Sequence, residues 1–128
     1  MRSTAVVVED GHLLVIGRRK NGREYSVLPG GGVEEGETPR EACLRELWEE
    51  TGLVGVIVAE LHRECTAQDS AIYFHVRTSR GNPTLTGGPE LATSGEENVY
   101  RPGWAPVAEL ETIHLVPEHA LAAVRALL

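Results

Sequence analysis

Between Pro29 and Leu53 the chain runs through three consecutive glycines, a helix with start and stop signals, and a further glycine. No other stretch constrains the fold as much. Thr38-Pro39-Arg40-Glu41 reads as a capping box, with Thr at the N-cap, Pro at the first helical position and Glu three residues after the cap. The spacing predicts a helix to about Thr51, with Gly52 as the left-handed residue that ends it. Pro29-Gly30-Gly31-Gly32, just upstream, is expected to lie inside neither a helix nor a strand. At 100° per residue, Glu46, Glu49 and Glu50 share one face, while Cys43, Leu44, Leu47 and Trp48 form an apolar stripe on another. The acidic face has no evident stabilising purpose. Like charges at these spacings oppose the helix, and they sit in its C-terminal half, where the macrodipole disfavours anions. Such a face is a functional candidate. A divalent cation would reverse the energetics, and an all-oxygen set of carboxylates suits Mg²⁺ or Mn²⁺. The competing reading is a solvated face with Arg40 or Arg45 as salt partners.

The rest of the chain reads as strands and turns. Ser3–Glu9 is rich in β-branched residues, Asp10-Gly11 is a turn signal, and His12–Gly17 resumes an apolar run, so the two segments are expected to pair as antiparallel neighbours. Glu24–Leu28 reads as a short strand, Val54–Thr66 and Ala71–Thr78 as longer ones, and Asn98–Trp104 as a last one. Between Arg80 and Asn98 the composition is that of a loop, with a brief strand at Thr84–Thr86. Pro106–Leu110 suggests a helical turn and Pro117–Leu128 an amphipathic helix. Strands on both sides of one helix, with a closing helix, imply an α/β sandwich around a mixed sheet. With 128 residues, the expectation is one domain over 1–128.

Composition excludes several classes of function. The formal net charge is −7 at pH 7, which argues against a nucleic-acid polymer as the main partner. No apolar run approaches a membrane span, and no signal peptide is visible. Cys43 and Cys65 provide no disulfide framework, so a cytoplasmic location is expected. Cys43 and Trp48 are expected to pack in the core. Tyr100 and Trp104 are expected as aromatics at the core's edge, within reach of shaping a base pocket. The five histidines show no metal-ligand spacing.

The run Gly31-x5-Glu37-x7-Arg45-Glu46-Leu47-x-Glu49-Glu50-x-Gly52-Leu53 resembles the Nudix box, G-x5-E-x7-R-E-U-x-E-E-x-G-U, at every fixed position. Similarity extends outward to Leu13–Arg18, to Leu28-Pro29, and to Trp104–Leu110, a W-x-P-x-x-E-L segment. The resemblance implies a Nudix-type α/β/α sandwich around a mixed β-sheet. It also implies Mg²⁺- or Mn²⁺-dependent hydrolysis of a nucleoside diphosphate linked to another group. Glu46, Glu49 and Glu50 would be the metal ligands, with the backbone near Gly31 and Gly32 facing the metal or phosphate. Glu37 and Arg45 would form a structural ion pair tying loop to helix, and Gly52 would end that helix. The base that deprotonates the attacking water would come from the box helix (Glu49 or Glu50) or from a later loop. The late-loop candidates are Glu90 and, ahead of Asn98, Glu96 or Glu97. Arg18 or Arg19, at a strand end, would pair with phosphates, or else would be a surface basic residue beside a turn.

Signatures of the ADP-ribose, dinucleoside polyphosphate and NADH subfamilies are missing, and what remains resembles the MutT-like group. The leading substrate is therefore a (deoxy)nucleoside triphosphate, oxidised or not, cut to monophosphate and pyrophosphate. The alternatives are a silent nucleotide-binding module of the same fold, or an enzyme for ADP-ribose or a dinucleoside polyphosphate. A decapping-type enzyme acting on RNA ends is disfavoured by the charge. The expected partner is a small-molecule nucleotide, with no membrane and no nucleic-acid polymer, and the protein a monomer or homodimer.

Overall fold

The computed structural model describes residues 1–66, 70–78 and 98–128. Its elements in order are β1 (Arg2–Val6), β2 (Val8–Glu9), β3 (His12–Lys20), β4 (Arg23–Val27), β5 (Gly30–Gly32), α1 (Pro39–Thr51), β6 (Gly55–Cys65), β7 (Ser70–Thr78), β8 (Asn98–Pro106), a 3₁₀ segment (Val107–Thr112) and α2 (Glu118–Leu127). Among the described residues one sheet has the order β5-β1-β7-β6. In it β1 runs parallel to β7 and antiparallel to β5, so this sheet is mixed. In the other, β3 pairs antiparallel with β2, β4 and β8.

The run Thr4-Ala5-Val6-Val7-Val8 does not alternate apolar with polar, as a strand covered on both faces would not. Val6 packs with Leu13, Tyr73, Ala120 and Val124 on the α2 side. Ala5 and Val7 pack with Leu14, Cys43, Leu47 and Phe74 on the α1 side. This central position corrects the simple hairpin expected from Asp10-Gly11. The segment divides at Val7, whose carbonyl accepts from the Leu14 N–H. Only Val8–Glu9 pairs with β3 in the hairpin, and Arg2–Val6 belongs to the other sheet.

The triple glycine is also corrected. Gly30–Gly32 is a strand, paired with Arg2–Thr4 at the sheet's edge. An edge position next to β1 tolerates residues without side chains, and it needs them for close approach. A Cβ on Gly30 would lie 2.6 Å from the Ser3 carbonyl oxygen and 2.8 Å from Thr4 Cα.

Helix α1 begins at the reciprocal capping box of Thr38 and Glu41 and stops at Gly52, whose φ is 75°. Ser3 Oγ donates to the Pro39 carbonyl and fixes the helix start over β1. Trp48 departs from expectation, because it is 51% exposed. The helical wheel explains this. Residues 43, 47 and 50 stack at i, i+4 and i+7, and 48 lies about 100° from 47 on the far side. The third member of the buried stripe is therefore Glu50, at 4% exposure, and not the tryptophan. The burial of Glu50 fixes the geometry of the site.

Candidate active site

The acidic helix, the β5 strand and the end of β3 converge on a cavity of about 300 Å³, at the small end of the range for ligand pockets. Arg18, Gly30, Gly31, Gly32, Glu46, Glu50 and Tyr100 contribute to its lining. A buried carboxylate requires hydrogen bonds. Glu50 Oε1 accepts one from the Gly30 backbone N–H at 2.8 Å, so the strand that the glycines form holds the helix's innermost acid in place.

Gly31 sits against Glu46. A Cβ there would fall 2.5 Å from the Glu46 Cδ and Oε1 atoms, so this residue type leaves room for the carboxylate beside the cavity. Substitutions at the two glycines should therefore differ. Gly30→Ala meets fixed backbone and is expected to lower the melting temperature. Gly31→Ala meets the end of a flexible side chain, so the fold should persist while activity falls about tenfold, in line with disturbed support of a metal ligand. Thermal melts beside turnover measurements would check both, and equal loss of stability in the two variants would contradict this account.

Arg45 organises the remaining carboxylates. Its Nε and Nη2 donate to the two oxygens of Glu37 at 2.7 and 3.0 Å, a bidentate pair. Nη1 donates to Glu46 at 3.0 Å and to Glu49 at 3.2 Å, and Nη2 also donates to the Gly32 carbonyl at 3.1 Å. The hydrogen bonds from Arg45, and then the Glu34 backbone N–H, hold the Glu37 carboxyl below its ordinary value of 4.5. Glu37, first among the partners of Arg45, holds the guanidinium above its own ordinary range. The acidic face is therefore relieved within the chain, by Arg45 for Glu46 and Glu49 and by the Gly30 N–H for Glu50. Of the two salt partners the sequence offered, Arg45 is the one that meets Glu46 and Glu49, while the burial of Glu50 departs from a solvated face. Among the described residues no three His, Cys, Asp or Glu side chains form a ready cage for a metal ion.

The chemistry of the donors nevertheless fits a hard divalent cation. Glu46 and Glu50 border one cavity, and Gly31 leaves space beside them. Glu49 is not among the residues lining it.

Of the two candidate arginines, only Arg18 reaches the acidic cavity. Strand alternation puts Arg18 on the face of β3 that carries Leu14 and Ile16, toward α1, where it lines the acidic cavity. Arg19 does not line the acidic cavity; with Glu24, Ser26 and Arg101 it lines a second one of about 280 Å³, which Arg18 borders as well. Glu90, Glu96, Glu97 and the Thr84–Thr86 segment lie outside the described residues. Burial pushes the Cys43 thiol up to about 12, which leaves it protonated and in the packing role expected of it. Arg18 also lies over the Tyr100 ring, a contact that the sequence pattern alone does not indicate. It depends on the β3–β8 register, which no local pattern encodes.

A family model described as the NUDIX domain matches residues 1–126, and the chain belongs to that family. It is 44% identical over 79 residues to a MutT-like protein of Streptomyces ambofaciens, covering 59% of this chain and 49% of that one. It is 51% identical over 53 residues to an RNA pyrophosphohydrolase of Roseobacter denitrificans, covering 39% of this chain and 33% of that one. The matches thus span a third to a half of those relatives. Two solved structures share the fold. One is a NUDIX hydrolase from Nitrosomonas europaea, with TM-score 0.72 and 18% identity over 98% of this chain and 86% of that one. The other is a MutT NUDIX hydrolase from Burkholderia pseudomallei, with TM-score 0.70 and 21% identity over 99% of this chain and 96% of that one. The mixed α/β sandwich is therefore that of Nudix hydrolases. Among the described residues no helix is long and apolar enough to cross a membrane.

Proposed function

We propose that this Nudix protein hydrolyses a phosphoanhydride bond of a (deoxy)nucleoside triphosphate to give the monophosphate and pyrophosphate. The observation that carries the reading is the pairing of opposites around one cavity: the carboxylates of Glu46 and Glu50 on one side, the guanidinium of Arg18 on another. Carboxylates alone would repel a polyphosphate, and an arginine alone would only bind it. A bound Mg²⁺ or Mn²⁺ supplies neutralisation of phosphate oxygens and acidification of water. Glu46 and Glu50 would hold the ion, with Glu49 joining them if it exchanges Arg45 for the metal. Arg18 would bind phosphate oxygens and orient the chain of phosphates, with the Gly32 backbone beside them. The attacking water gives its proton to a carboxylate, Glu49 or Glu50 on α1, or Glu90 or Glu97 from the later segment. The phosphorus–bridging oxygen bond breaks and pyrophosphate leaves.

A panel assayed with Mg²⁺ and with Mn²⁺, its products identified by mass, tests this reading. It should hold deoxy- and ribonucleoside triphosphates, an oxidised deoxyguanosine triphosphate, ADP-ribose, a dinucleoside polyphosphate and an RNA oligonucleotide with a 5′-triphosphate. Fastest conversion of a free triphosphate to monophosphate and pyrophosphate is expected. The RNA relatives make the RNA substrate the informative competitor, and the −7 charge weighs against it. Fastest turnover of RNA, ADP-ribose or the dinucleotide would replace the substrate assignment. No turnover of any would favour a silent nucleotide-binding module.

A further inference from the structure

We infer that Tyr100 is a positioning residue whose ring fixes the plane of the Arg18 guanidinium so that its N–H edge meets the phosphates. This rests on the phosphate role of Arg18 proposed above and extends it to a residue outside the Nudix box.

The register of β3 sets Arg18 opposite Tyr25 on β4 and opposite Tyr100 on β8, so the three side chains form a row across the sheet. The two rings are not equivalent. The guanidinium carbon lies 3.9 Å from the centre of the Tyr100 ring but 5.5 Å from that of Tyr25. Both lie within cation–π range, and the contact with Tyr100 is much the closer. Tyr25 also has Arg23 at 5.4 Å and does not line the acidic cavity, whereas Tyr100 does.

An aromatic plate differs from a carboxylate in how it holds an arginine. A carboxylate binds the guanidinium through its N–H edge and neutralises it, which consumes the features a phosphate would use. An aromatic ring binds the face, while the five donors stay in the perpendicular plane and the charge is retained. Beside Glu46 and Glu50, an aromatic partner thus orients Arg18 without adding a further negative charge where a polyphosphate would lie. A flexible arginine would also lose more rotamer freedom on binding than one already stacked.

The test is calorimetric titration of inorganic tripolyphosphate in the presence of Mn²⁺, with kinetics on the best triphosphate of the panel and melting temperatures alongside. Tyr100→Leu is expected to weaken tripolyphosphate binding about tenfold, between the sizes of an exposed and a desolvated cation–π contact. It should raise KM similarly while kcat changes by less than about threefold, because uniform binding is what is lost. Tyr100→Phe keeps the ring and should restore wild-type affinity. Arg18→Ala should weaken binding at least as much, and adding Tyr100→Leu to it should change nothing further, because the ring acts through the arginine. Wild-type affinity in a folded Tyr100→Leu variant would overturn the inference. So would a Tyr100→Phe variant as weak as Tyr100→Leu, or additive losses in the double variant. Failure of the wild type to hydrolyse any nucleotide would sink the enzymatic reading only. The tripolyphosphate titration would still decide the role of Tyr100.

Discussion

Glu50→Gln is expected to lower kcat by about 10³-fold, as removal of a charged group at the reacting centre commonly does, while the protein stays folded. The reasoning starts from burial. Glu50 occupies the i+7 place of the stripe that also carries Cys43 and Leu47, yet it is an acid, and the Gly30 N–H is aimed at it. Glutamine retains the oxygen that accepts this hydrogen bond and nearly the same volume, so packing against β5 persists. The charge is removed and the second oxygen becomes an amide donor, while burying a neutral amide costs less than burying a carboxylate. The melting temperature should therefore hold or rise. Calorimetry and turnover on one preparation would check both halves. Near-wild-type turnover would remove Glu50 from the chemistry, and collapse of the fold would make it a structural acid.

Arg45→Ala should show the opposite pattern, with stability and activity falling together. One guanidinium donates to Glu37, Glu46, Glu49 and the Gly32 carbonyl, so its loss leaves clustered like charges and a loop no longer tied to the helix. Removing the shared partner of this part-buried charged network should lower the melting temperature by several degrees. The effect depends on pH, and its sign follows from Glu37. The Glu37 carboxyl is held below 4.5 in the folded protein, so its contribution is present above that value and is lost as pH falls through the lowered one. The gap in melting temperature between wild type and Arg45→Ala should be widest near pH 7 and should narrow in acid. A gap independent of pH would mean that the guanidinium acts through packing and not through its charge.

Legibility from sequence followed the range of the interactions involved. The capping box, the Gly52 stop and the spacing of Glu46, Glu49 and Glu50 are local, and helix α1 appears as they specify. The helix gave less warning of which acid is innermost. Treating three glutamates as one face hid the fact that Glu50 falls on the Cys43–Leu47 stripe and Trp48 opposite it. The glycine triplet looked like pure loop because its strand character comes from β1, a partner some thirty residues away in sequence. The separation of Arg18 from Arg19 was latent in strand alternation. Which side faced the acids became clear only from the core cluster that Leu14 of β3 shares with Cys43 and Leu47 of α1. Arg45 as a salt partner of the acidic face was legible from its spacing, and the structure shows it donating to Glu46 and Glu49 as well as to Glu37.

The most direct measurement is a diffraction experiment on crystals grown with Mn²⁺ and a non-hydrolysable nucleoside triphosphate, using the anomalous signal to place the ion. The prediction is a peak at coordination distance, about 2.1 Å, from oxygens of Glu46 and Glu50, with a phosphate oxygen completing its shell and Arg18 on the phosphate chain. Density showing the triphosphate bound elsewhere, with no ion near Glu46 and Glu50 and both carboxylates still on Arg45 and the Gly30 N–H, would contradict the account.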